Sequence, residues 1–556
     1  VDVPGVRDNF QDAFAAVWCG RVDNDSFNRL VVGARLDWQS VAILRVYARY
    51  MKQLGVTISQ DFIAATLAAN VEITRNIVAL FRTRFDPRLA SQEGEVSERS
   101  RRLESKILEA LDQIENLNED QVLRSYLQLI CATVRTSFFQ RSGRGCGERN
   151  CHDDEHRPYV ALKLMPRGLP MVPDPQPEYE VFVCSPRMEG VHLRAGKVAR
   201  GGIRWSSRLE DYRTEVLGLV KAQQVKNAVI VPTGAKGGFV VKKSPAGMSR
   251  DEWQAEGIAC YRMFMRALLD ITDNVVDGKL VPPPDMVRMD GDDAYMVVAA
   301  DKGTASFSDI ANAISEEYGH WLGDAFASGG SHGYDHKKMG ITARGAWVAV
   351  QRHFRELGLD PDRDDFTVVG IGDMSGDVFG NGMLRSRHTR LVAAFNHQSI
   401  FLDPDPDAEV SFAERQRLFV LPRSSWEDYN PELISPGGGV YSRNLKSIAI
   451  SPQVKERFGI AEDHLTPAQL INRLLQAEVD LIWNGGIGTY VKSSTQSHAV
   501  VGDKANDELR VDGRQLRCRV FGEGGNLGMT QAGRVEYALN GGCCNTDFID
   551  NMGGVA

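Results

Sequence analysis

The sequence predicts an α/β protein in which a helical region precedes two α/β domains. The chain has 556 residues, and at roughly 100–200 residues per domain a chain of this length is divided into several domains. Apolar residues recur at helical spacing through the first part of the chain, and strand and helix patterns alternate in the remainder. One buried strand runs into a glycine-rich turn and then a helix, which is the local pattern of a doubly wound sheet.

The composition is ordinary for a soluble protein. Hydrophobic residues make up 43% of the chain, charged residues make up 25%, and the formal net charge is -8, which argues against a polyanion-binding surface. No window approaches the ~18 consecutive apolar residues of a membrane span, and the N-terminus lacks the layout of a secretory signal. We therefore expect a cytoplasmic protein that binds neither nucleic acid nor a membrane. Because the chain begins at Val1 and ends at Ala556, just after a Gly-Gly pair, we also expect a fragment.

Four segments follow from these patterns. Residues 1–140 are predicted as a helical N-terminal region, because apolar side chains recur at helical spacing from Trp38 to Leu54, from about Phe62 to Phe85, and from Ile107 to Val134. The Gly-, Arg- and Asp-rich residues 141–158 are predicted as a linker. Residues 159–339 are predicted as a first α/β domain, and residues 340–556 as a second, Rossmann-like domain.

The predicted linker contains four residues of metal-binding type. These are Cys146, Cys151, His152 and His156. Their spacing matches no standard zinc finger or ribbon, and solvated loop residues of these types are common. The sequence therefore predicts no metal site.

The glycine-rich turn follows the strand pattern Asp365–Val369. Its glycines are Gly370, Gly372 and Gly376, with Asp373, Met374 and Ser375 between the last two. Glycines at such a turn let backbone N–H groups approach a pyrophosphate at a helix N-terminus, although glycine turns after buried strands also occur as plain packing features. The next strand pattern ends at Asn396, where many NAD enzymes place an acid on the ribose, and the nearest acid is Asp403. The residues alone do not separate NAD from NADP.

A second cluster combines cations with glycines earlier in the chain. It comprises Arg200–Trp205, Gln223, Lys226 and the glycine-rich Pro232–Gly238, which contains Lys236. Cations bracketed by glycines suit an anionic substrate, whereas the alternative is a surface turn with solvated lysines. A lysine that transfers protons needs a carboxyl partner, and Asp301 follows a buried strand pattern at a turn. Four rival carboxylates precede it, and an acidic run of this kind is more often solvated surface: Asp285, Asp290, Asp292 and Asp293.

In these residues the chain resembles the glutamate dehydrogenase superfamily, and specifically the large bacterial NAD-specific enzymes. The resemblance covers residues 160–556, and the helical segments between Tyr50 and Pro87 resemble the region that precedes the core in those enzymes. The matching motifs occur in the family's order: Lys197–Trp205, Val231–Gly238, Ala300–Ile310, Gly370–Gly382, Asp480–Lys492 and Glu523–Asn526.

The resemblance implies a role for each of a set of residues. Lys236 corresponds to the catalytic lysine and Asp301 to the catalytic aspartate. The substrate-binding candidates are Gln223 and Lys226 for the α-carboxylate, Arg200 for the side-chain carboxylate, where smaller relatives carry lysine, and Lys338 and Asn551. The cofactor-binding candidates are Thr342, Gly370, Gly372, Asp373, Met374, Ser375, Gly376, Asn396 and Asn526.

The resemblance also implies a fold and an activity. We expect the two-domain core of the amino-acid dehydrogenases, with a substrate-binding domain at residues 159–339, an NAD-binding domain at residues 340–556, and the active site in the cleft between them. The expected reaction is the NAD-dependent oxidative deamination of L-glutamate, carried out by a homo-oligomer. The alternatives are a dehydrogenase for an apolar amino acid and a catalytically silent, truncated regulatory module.

Overall fold

The computed structural model divides the chain into two compact units, Val1–Gly333 and Tyr334–Ala556. It describes residues 6–141, 157–226, 233–301, 303–304, 306–333, 335–422, 424–486, 488–525 and 527–555, with backbone alone for residues 93, 221–226, 233 and 555. The division falls six residues before the predicted boundary of 339 and 340. The reason is a short helix, His336–Met339, whose Lys337 carbonyl accepts a hydrogen bond from Asn381 Nδ2 at 2.8 Å within the second unit.

The first unit combines a helical region with a seven-stranded sheet. Its helices are α1 Arg7–Trp18, α2 Arg29–Gly33, α3 Trp38–Gln53, α4 Gln60–Ala69, α5 Val71–Phe85, α6 Glu93–Leu111, α7 Leu117–Ala132, α8 Tyr212–Lys226, α9 Arg250–Asp270 and α10 Ser308–Glu317. Its strands are β1 Thr133–Thr136, β2 Val160–Leu164, β3 Tyr179–Cys184, β4 Met188–Arg194, β5 Ala199–Trp205, β6 Thr233–Val241, β7 Asn274–Val276, β8 Lys279–Val281 and β9 Val297–Ala300.

The helical region differs from the prediction at four places. The expected helix from Phe62 to Phe85 is interrupted at Asn70, whose backbone leaves the helical region and separates α4 from α5. The polar residues between the second and third predicted helical segments are largely helical, because α6 covers Glu93–Leu111. The apolar periodicity from Ile107 is broken where Asn116 caps the start of α7 by accepting the Asn118 N–H at 2.9 Å. Residues 133–136 form strand β1 and not helix.

Length and apolar content decide whether a helix of the described residues could span a membrane. No single helix there has both the length and the apolar content of a membrane span. The pair α4 and α5 meets that test of length and composition only when joined across a bend of 101°.

Strands β5 and β6, which carry Arg200, Arg204 and Lys236, are interior strands of the main sheet of the first unit. The strand order is β1-β2-β3-β4-β6-β5-β9, with β5 parallel to β6 and β9 and the other neighbours antiparallel. Helix α8 connects β5 to β6, so it crosses one face of the sheet, and Val216 of α8 lies over Gly238. Helix α9 covers the other face, where Phe264 packs over Gly190 of β4.

The second unit contains the remaining elements. Its helices are α11 His336–Met339, α12 Ile341–Glu356, α13 Asp377–Gly382, α14 Ala408–Val420, α15 Pro452–Phe458, α16 Pro467–Leu475, α17 His498–Val501, α18 Gln531–Leu539, α19 Asp547–Asp550 and α20 Met552–Val555. Its strands are β10 Phe366–Ile371, β11 Thr389–Phe395, β12 Ser399–Leu402, β13 Gly439–Ser442, β14 Ile448–Ala449, β15 His464–Leu465, β16 Leu481–Asn484, β17 Val491–Lys492, β18 Val511–Asp512, β19 Val520–Glu523 and β20 Cys543–Cys544.

The sheet of the second unit is doubly wound. The strand order is β13-β12-β11-β10-β16-β19-β20, and the five strands from β11 to β20 are parallel. The chain moves outward from β10 through β11 and then returns to start the other half at β16, so the strand order reverses between β10 and β16. In open α/β sheets a ligand binds beyond the carboxyl ends of the strands at such a switch point. The predicted glycine turn follows β10 at this place.

Candidate active site

Lys236 and Asp301 lie next to each other on the first sheet. Lys236 Nζ is 3.1 Å from Asp301 Oδ2, and the side chains are 21% and 16% exposed. Lys236 is in the middle of β6, and Asp301 follows the last residue of β9, so β5 lies between the strands that carry them. The structure therefore brings together two residues that are 65 positions apart in the sequence and were predicted as the catalytic pair.

Gly202 and the turn after β9 allow Asp301 to occupy this position. A Cβ at Gly202 would be 2.9 Å from the Cβ of Asp301, so β5 can pass beneath the carboxylate only with glycine there. The Asp301 N–H donates to Thr304 Oγ1 at 3.0 Å, and that hydroxyl donates to the carbonyl of Ile203 at 2.6 Å. The backbone that carries the carboxylate is therefore tied to the neighbouring strand.

Two further charged residues complete this cluster. Arg204 of β5 donates to Asp301 Oδ1 at 3.2 Å through Nη2 and to Glu215 Oε1 of α8 at 2.8 Å through Nη1. Ser206 Oγ donates to the other oxygen of Glu215 at 2.5 Å. Sequence reasoning quoted Arg204 only as part of a motif and did not consider Glu215. The sequence pattern that could have identified both residues is a pair of opposite charges, one on a strand and the other on the helix that follows it.

The predicted substrate ligands of the first unit lie on the same face of the sheet. Arg200 is exposed on β5 and pairs in register with Gly234, two residues before Lys236, and residues two apart on a strand share a face. Gln223 and Lys226 are three residues apart near the end of α8, the helix that covers this face, and their side chains lie outside the described residues. The binding roles of the three residues stay predictions.

The rival carboxylates have other partners. Asp290 Oδ1 accepts from Arg135 Nε at 2.6 Å, Asp290 Oδ2 contacts Lys163, and Asp293 accepts from Arg194 Nη1 at 2.6 Å. All five side chains are at most 3% exposed. Burial opposes the charge on Asp293, but Arg194 and Lys163 outweigh it and lower the pKa of that carboxyl. The view of this acidic run as solvated surface was wrong for Asp290 and Asp293, because their cations lie far away in the sequence.

In the second unit, two glycines of the turn at the end of β10 pack closely against Phe379 of α13. A Cβ at Gly370 would be 2.4 Å from the ring of Phe379 in α13, and one at Gly372 would be 2.8 Å from the Cβ of Phe379. Gly372 also has φ +137°, a conformation that L side chains rarely adopt. Met374 is 2% exposed in the core, so only its backbone borders the turn. Gly376 is the N-cap of α13 and provides no side-chain cap for its N–H groups.

The polar side chains of the turn are bonded to each other. Asp373 Oδ1 accepts from the Ser375 N–H at 3.0 Å, and Asp373 Oδ2 accepts from Asn396 Nδ2 at 2.9 Å. Asp373 and Asn396 therefore connect the carboxyl ends of β10 and β11. Asp403, the nearest acid in sequence, follows the antiparallel β12, and its N–H donates to Val392 back along β11, away from Asn396.

The remaining predicted residues of the second unit lie around the start of α12, with one exception. Thr342 is in the first turn of α12, and a Cβ at Gly554 would be 1.8 Å from its hydroxyl, so Gly554 must be glycine for α20 to pack there. Asn551 is 3% exposed and precedes α20, and Lys338 is an exposed residue of α11. Asn526 lies outside the described residues.

A buried acidic cluster surrounds the carboxyl end of β19. Glu523 is fully buried, accepts from Arg534 Nη2 at 2.6 Å, and accepts the Met529 N–H at 3.1 Å through Oε1. Asp547 accepts the N–H of Leu527, a residue with φ +56°, at 3.0 Å. Burial raises the pKa of Glu523 to about 8, in spite of Arg534. Sequence reasoning quoted Glu523 in a motif but did not single it out.

Histidine and cysteine side chains could support acid–base or metal chemistry. His192 of β4 is buried beside Gly237, neither ring nitrogen has a hydrogen-bond partner among the described residues, and burial lowers its pKa to about 3. Over the described part of the chain, no three His, Cys, Asp or Glu side chains form a group that could hold a metal ion. Cys146, Cys151, His152 and His156 lie outside that part.

The fold and the site define a class. A doubly wound sheet with a glycine turn at its switch point, a second α/β sheet that carries a lysine–aspartate pair, and a preceding helical region together form the core of the amino-acid dehydrogenases. Residues 106–556 match the family model described as bacterial NAD-glutamate dehydrogenase, catalytic domain. Residues 22–87 match the model described as glutamate dehydrogenase, helical motif 3. The chain belongs to the bacterial NAD-glutamate dehydrogenase family.

Among the curated relatives named NAD-specific glutamate dehydrogenase, three match at least 98% of the chain. The chain is 63% identical to the one from Halomonas elongata over 99% of its own length and 33% of that protein. It is 61% identical to the one from Pseudomonas aeruginosa, over 100% of the chain and 34% of that protein. It is 55% identical to the one from Mycobacterium tuberculosis, over 98% of the chain and 34% of that protein. The chain thus spans about a third of the length of these relatives.

Proposed function

We propose that the protein catalyses the oxidative deamination of L-glutamate to 2-oxoglutarate and ammonia, with NAD as the hydride acceptor. The observation that carries this proposal is the 3.1 Å contact between Lys236 Nζ and Asp301 Oδ2 on one face of the first sheet. Membership of the family and the names of the three relatives support glutamate as the substrate and NAD as the cofactor.

The paired side chains suit the proton transfers of this reaction. Asp301 accepts a proton from the substrate ammonium, which frees the nitrogen lone pair to support loss of hydride from the α-carbon. Lys236 then assists the attack of water on the resulting iminium carbon, and Asp301 returns a proton to the departing nitrogen. Arg200, Gln223 and Lys226 are proposed to hold the two substrate carboxylates, because guanidinium and ammonium groups pair with carboxylates. Lys338 and Asn551 are proposed as further substrate contacts.

The residues of the second unit fit NAD. Gly370 and Gly372 leave no room for a Cβ beside Phe379, and Gly376, the N-cap of α13, provides no side-chain cap, so glycine backbone lines the place where a pyrophosphate would be held. We propose Gly370, Gly372, Asp373, Met374, Ser375 and Gly376 for that contact, with Asn396, Thr342 and Asn526 as further cofactor ligands. Bound NAD supplies the hydride acceptor.

The proposal has a direct test in the variant Lys236→Ala. We expect NADH formation from glutamate to fall by about 10³-fold or more, because general acid–base groups typically contribute 10²–10⁴-fold. NAD binding, measured by fluorescence titration, should stay within about threefold, because Lys236 is not in the second unit. The matched control is Lys243→Ala, at an exposed lysine just beyond the end of the same strand, which should keep wild-type turnover.

Two results would contradict the proposal. One is wild-type turnover in Lys236→Ala. The other is a panel of glutamate, leucine, phenylalanine and valine in which an apolar amino acid is oxidised at least as well as glutamate. The cytoplasmic location and the homo-oligomeric state stay predictions, and size-exclusion chromatography with light scattering measures the second.

A further inference from the structure

The two oxygens of Asp301 have different partners. Oδ2 is 3.1 Å from Lys236 Nζ, and Oδ1 is 3.2 Å from Arg204 Nη2. A carboxylate can rotate about its χ2 bond and exchange its two oxygens unless something distinguishes them. Here a cation on each side fixes which oxygen faces the catalytic lysine.

Arg204 is itself restrained on its far side. Its Nη1 donates to Glu215 Oε1 at 2.8 Å, and Ser206 donates to Glu215 Oε2 at 2.5 Å. A guanidinium group presents its donors in a planar fork, so one group can bridge two carboxylates in a fixed geometry. The result is a continuous chain of contacts from Ser206 through Glu215, Arg204 and Asp301 to Lys236.

The charges in this chain alternate and are partly shielded from solvent. Arg204 is 15% exposed, Glu215 is 17% exposed, and Asp301 is 16% exposed. Ion pairs at this depth are screened much less than surface pairs. Burial opposes the charge on Arg204, but its hydrogen bond with Glu215 and the charge of Asp301 outweigh burial and raise its pKa. Arg204 therefore keeps its proton throughout the working range and does not exchange it.

We propose that Arg204 is a positioning residue for the reaction: it binds Oδ1 of Asp301, keeps that carboxylate ionised, and thereby assigns the proton transfer to Oδ2, which faces Lys236. Glu215 holds Arg204 in place. This inference rests on the proposed function, since it concerns the same lysine–aspartate pair. It adds a specific role for two residues that make no direct contact with Lys236.

The pH dependence of the activity distinguishes this role from a structural one. Among the described residues, the charged groups that face Asp301 include Lys236 from β6 and Arg204 from β5, with Glu215 of α8 behind Arg204. Removing a cation beside a carboxylate disfavours its charged form. The acid limb of the kcat/KM profile should then move to higher pH.

The test measures NADH formation from glutamate against pH in the full-length protein. For Arg204→Gln we expect kcat to fall by about 10–100-fold, as for a misplaced catalytic group, with the KM for NAD within about twofold. We expect its acid limb to move up by about one pH unit. Arg204→Lys keeps the charge but cannot bridge both carboxylates, so its acid limb should stay in place while kcat falls by about tenfold.

The matched control is Arg208→Gln. Arg208 follows β5 by three residues and forms a comparable fork with Asp211, Nε to Oδ1 at 2.9 Å, but both side chains are 49% exposed. It should keep the wild-type kcat and pH profile. If Arg204→Gln does not fold, as judged by circular dichroism, Arg204→Lys decides the question through its kcat.

The outcomes separate the two proposals. Wild-type kcat and an unmoved acid limb in Arg204→Gln, or wild-type kcat in Arg204→Lys, overturn the positioning role while an inactive Lys236→Ala leaves the proposed function standing. Wild-type activity in Lys236→Ala overturns the proposed function itself. A large rise in the KM for NAD in Arg204→Gln also counts against the positioning role, because it indicates general damage.

Discussion

The main sheets of the two units differ in the chemistry of their candidate sites. On the first sheet, Arg204, Lys236 and Asp301 are fixed by contacts between charged side chains. On the second sheet, Gly370 and Gly372 are fixed by close packing against Phe379, and the turn presents backbone. The first arrangement suits the transfer of protons, and the second suits the approach of a charged, extended ligand to N–H groups. On the proposed function, each unit therefore supplies a different half of the chemistry.

The strongest way to break this comparison is to fill the glycine turn. In Gly370→Ala the new Cβ would be 2.4 Å from the Phe379 ring, so the ring or the strand must move. We expect the free energy of unfolding to fall by about 1–3 kcal/mol, which is typical of overpacking in a core. NAD affinity should fall as well, because the turn shifts with the strand. Urea denaturation and fluorescence titration measure the two effects.

A second glycine in the same sheet supplies the control for that prediction. A Cβ at Gly439, on the edge strand β13, would be 3.4 Å from the Tyr441 hydroxyl, which is an ordinary contact. Gly439→Ala should therefore change the free energy of unfolding by no more than about 0.5 kcal/mol, as for surface substitutions. An equally small change in Gly370→Ala would show that the turn is not fixed by packing.

The second unit also buries an ionisable group, Glu523, in contrast to the backbone of its glycine turn. Burial raises the pKa of Glu523 from its ordinary value of 4.5 to about 8, so the folded state favours the protonated acid. The stability from this group is fully present below about pH 4.5 and is lost as the pH rises through about 8, which corresponds to roughly 2 kcal/mol between pH 6 and 8. Glu523→Gln should remove that dependence.

Thermal unfolding against pH measures this effect. The wild-type midpoint should fall more steeply than that of Glu523→Gln between about pH 6 and 8. The control Glu432→Gln, at an exposed glutamate of the same unit, should keep the wild-type dependence. Parallel curves for Glu523→Gln and the wild type would mean that Glu523 is ionised in the folded protein, held by Arg534.

Local patterns predicted the fold class and the glycine turn after β10. The β10 turn is contiguous in the sequence, so its strand, glycines and helix are visible together, and the structure has them in that order. Asn70, by contrast, lies within an unbroken apolar periodicity, and its side-chain amide donates at 3.1 Å to Glu119, which lies on another helix, α7. The first residues of strand β1 were predicted as helix because apolar periodicity continues to Val134, into a strand that is only four residues long.

Around the site, too, features set by neighbouring residues could be predicted, whereas contacts between residues far apart in the sequence could not. Asp301 was identifiable because it follows a strand at a turn, and by resemblance. Its pairing with Arg204 was not, because two residues 97 positions apart become neighbours only when β9 pairs with β5. Asp290 and Asp293 looked like solvated acids because their partners Lys163 and Arg194 lie on other strands. The binding roles of Arg200, Gln223, Lys226 and Lys338 stay predictions.

The most direct test of the central claim follows deuterium from the substrate. L-Glutamate that carries deuterium at the α-carbon is incubated with NAD and the protein, and the NADH is weighed by mass spectrometry. The account predicts NADH one mass unit heavier from the wild type, and a rate at least about 10²-fold lower for Asp301→Asn with NAD binding retained. Unlabelled NADH, or an undiminished rate in Asp301→Asn, would contradict it.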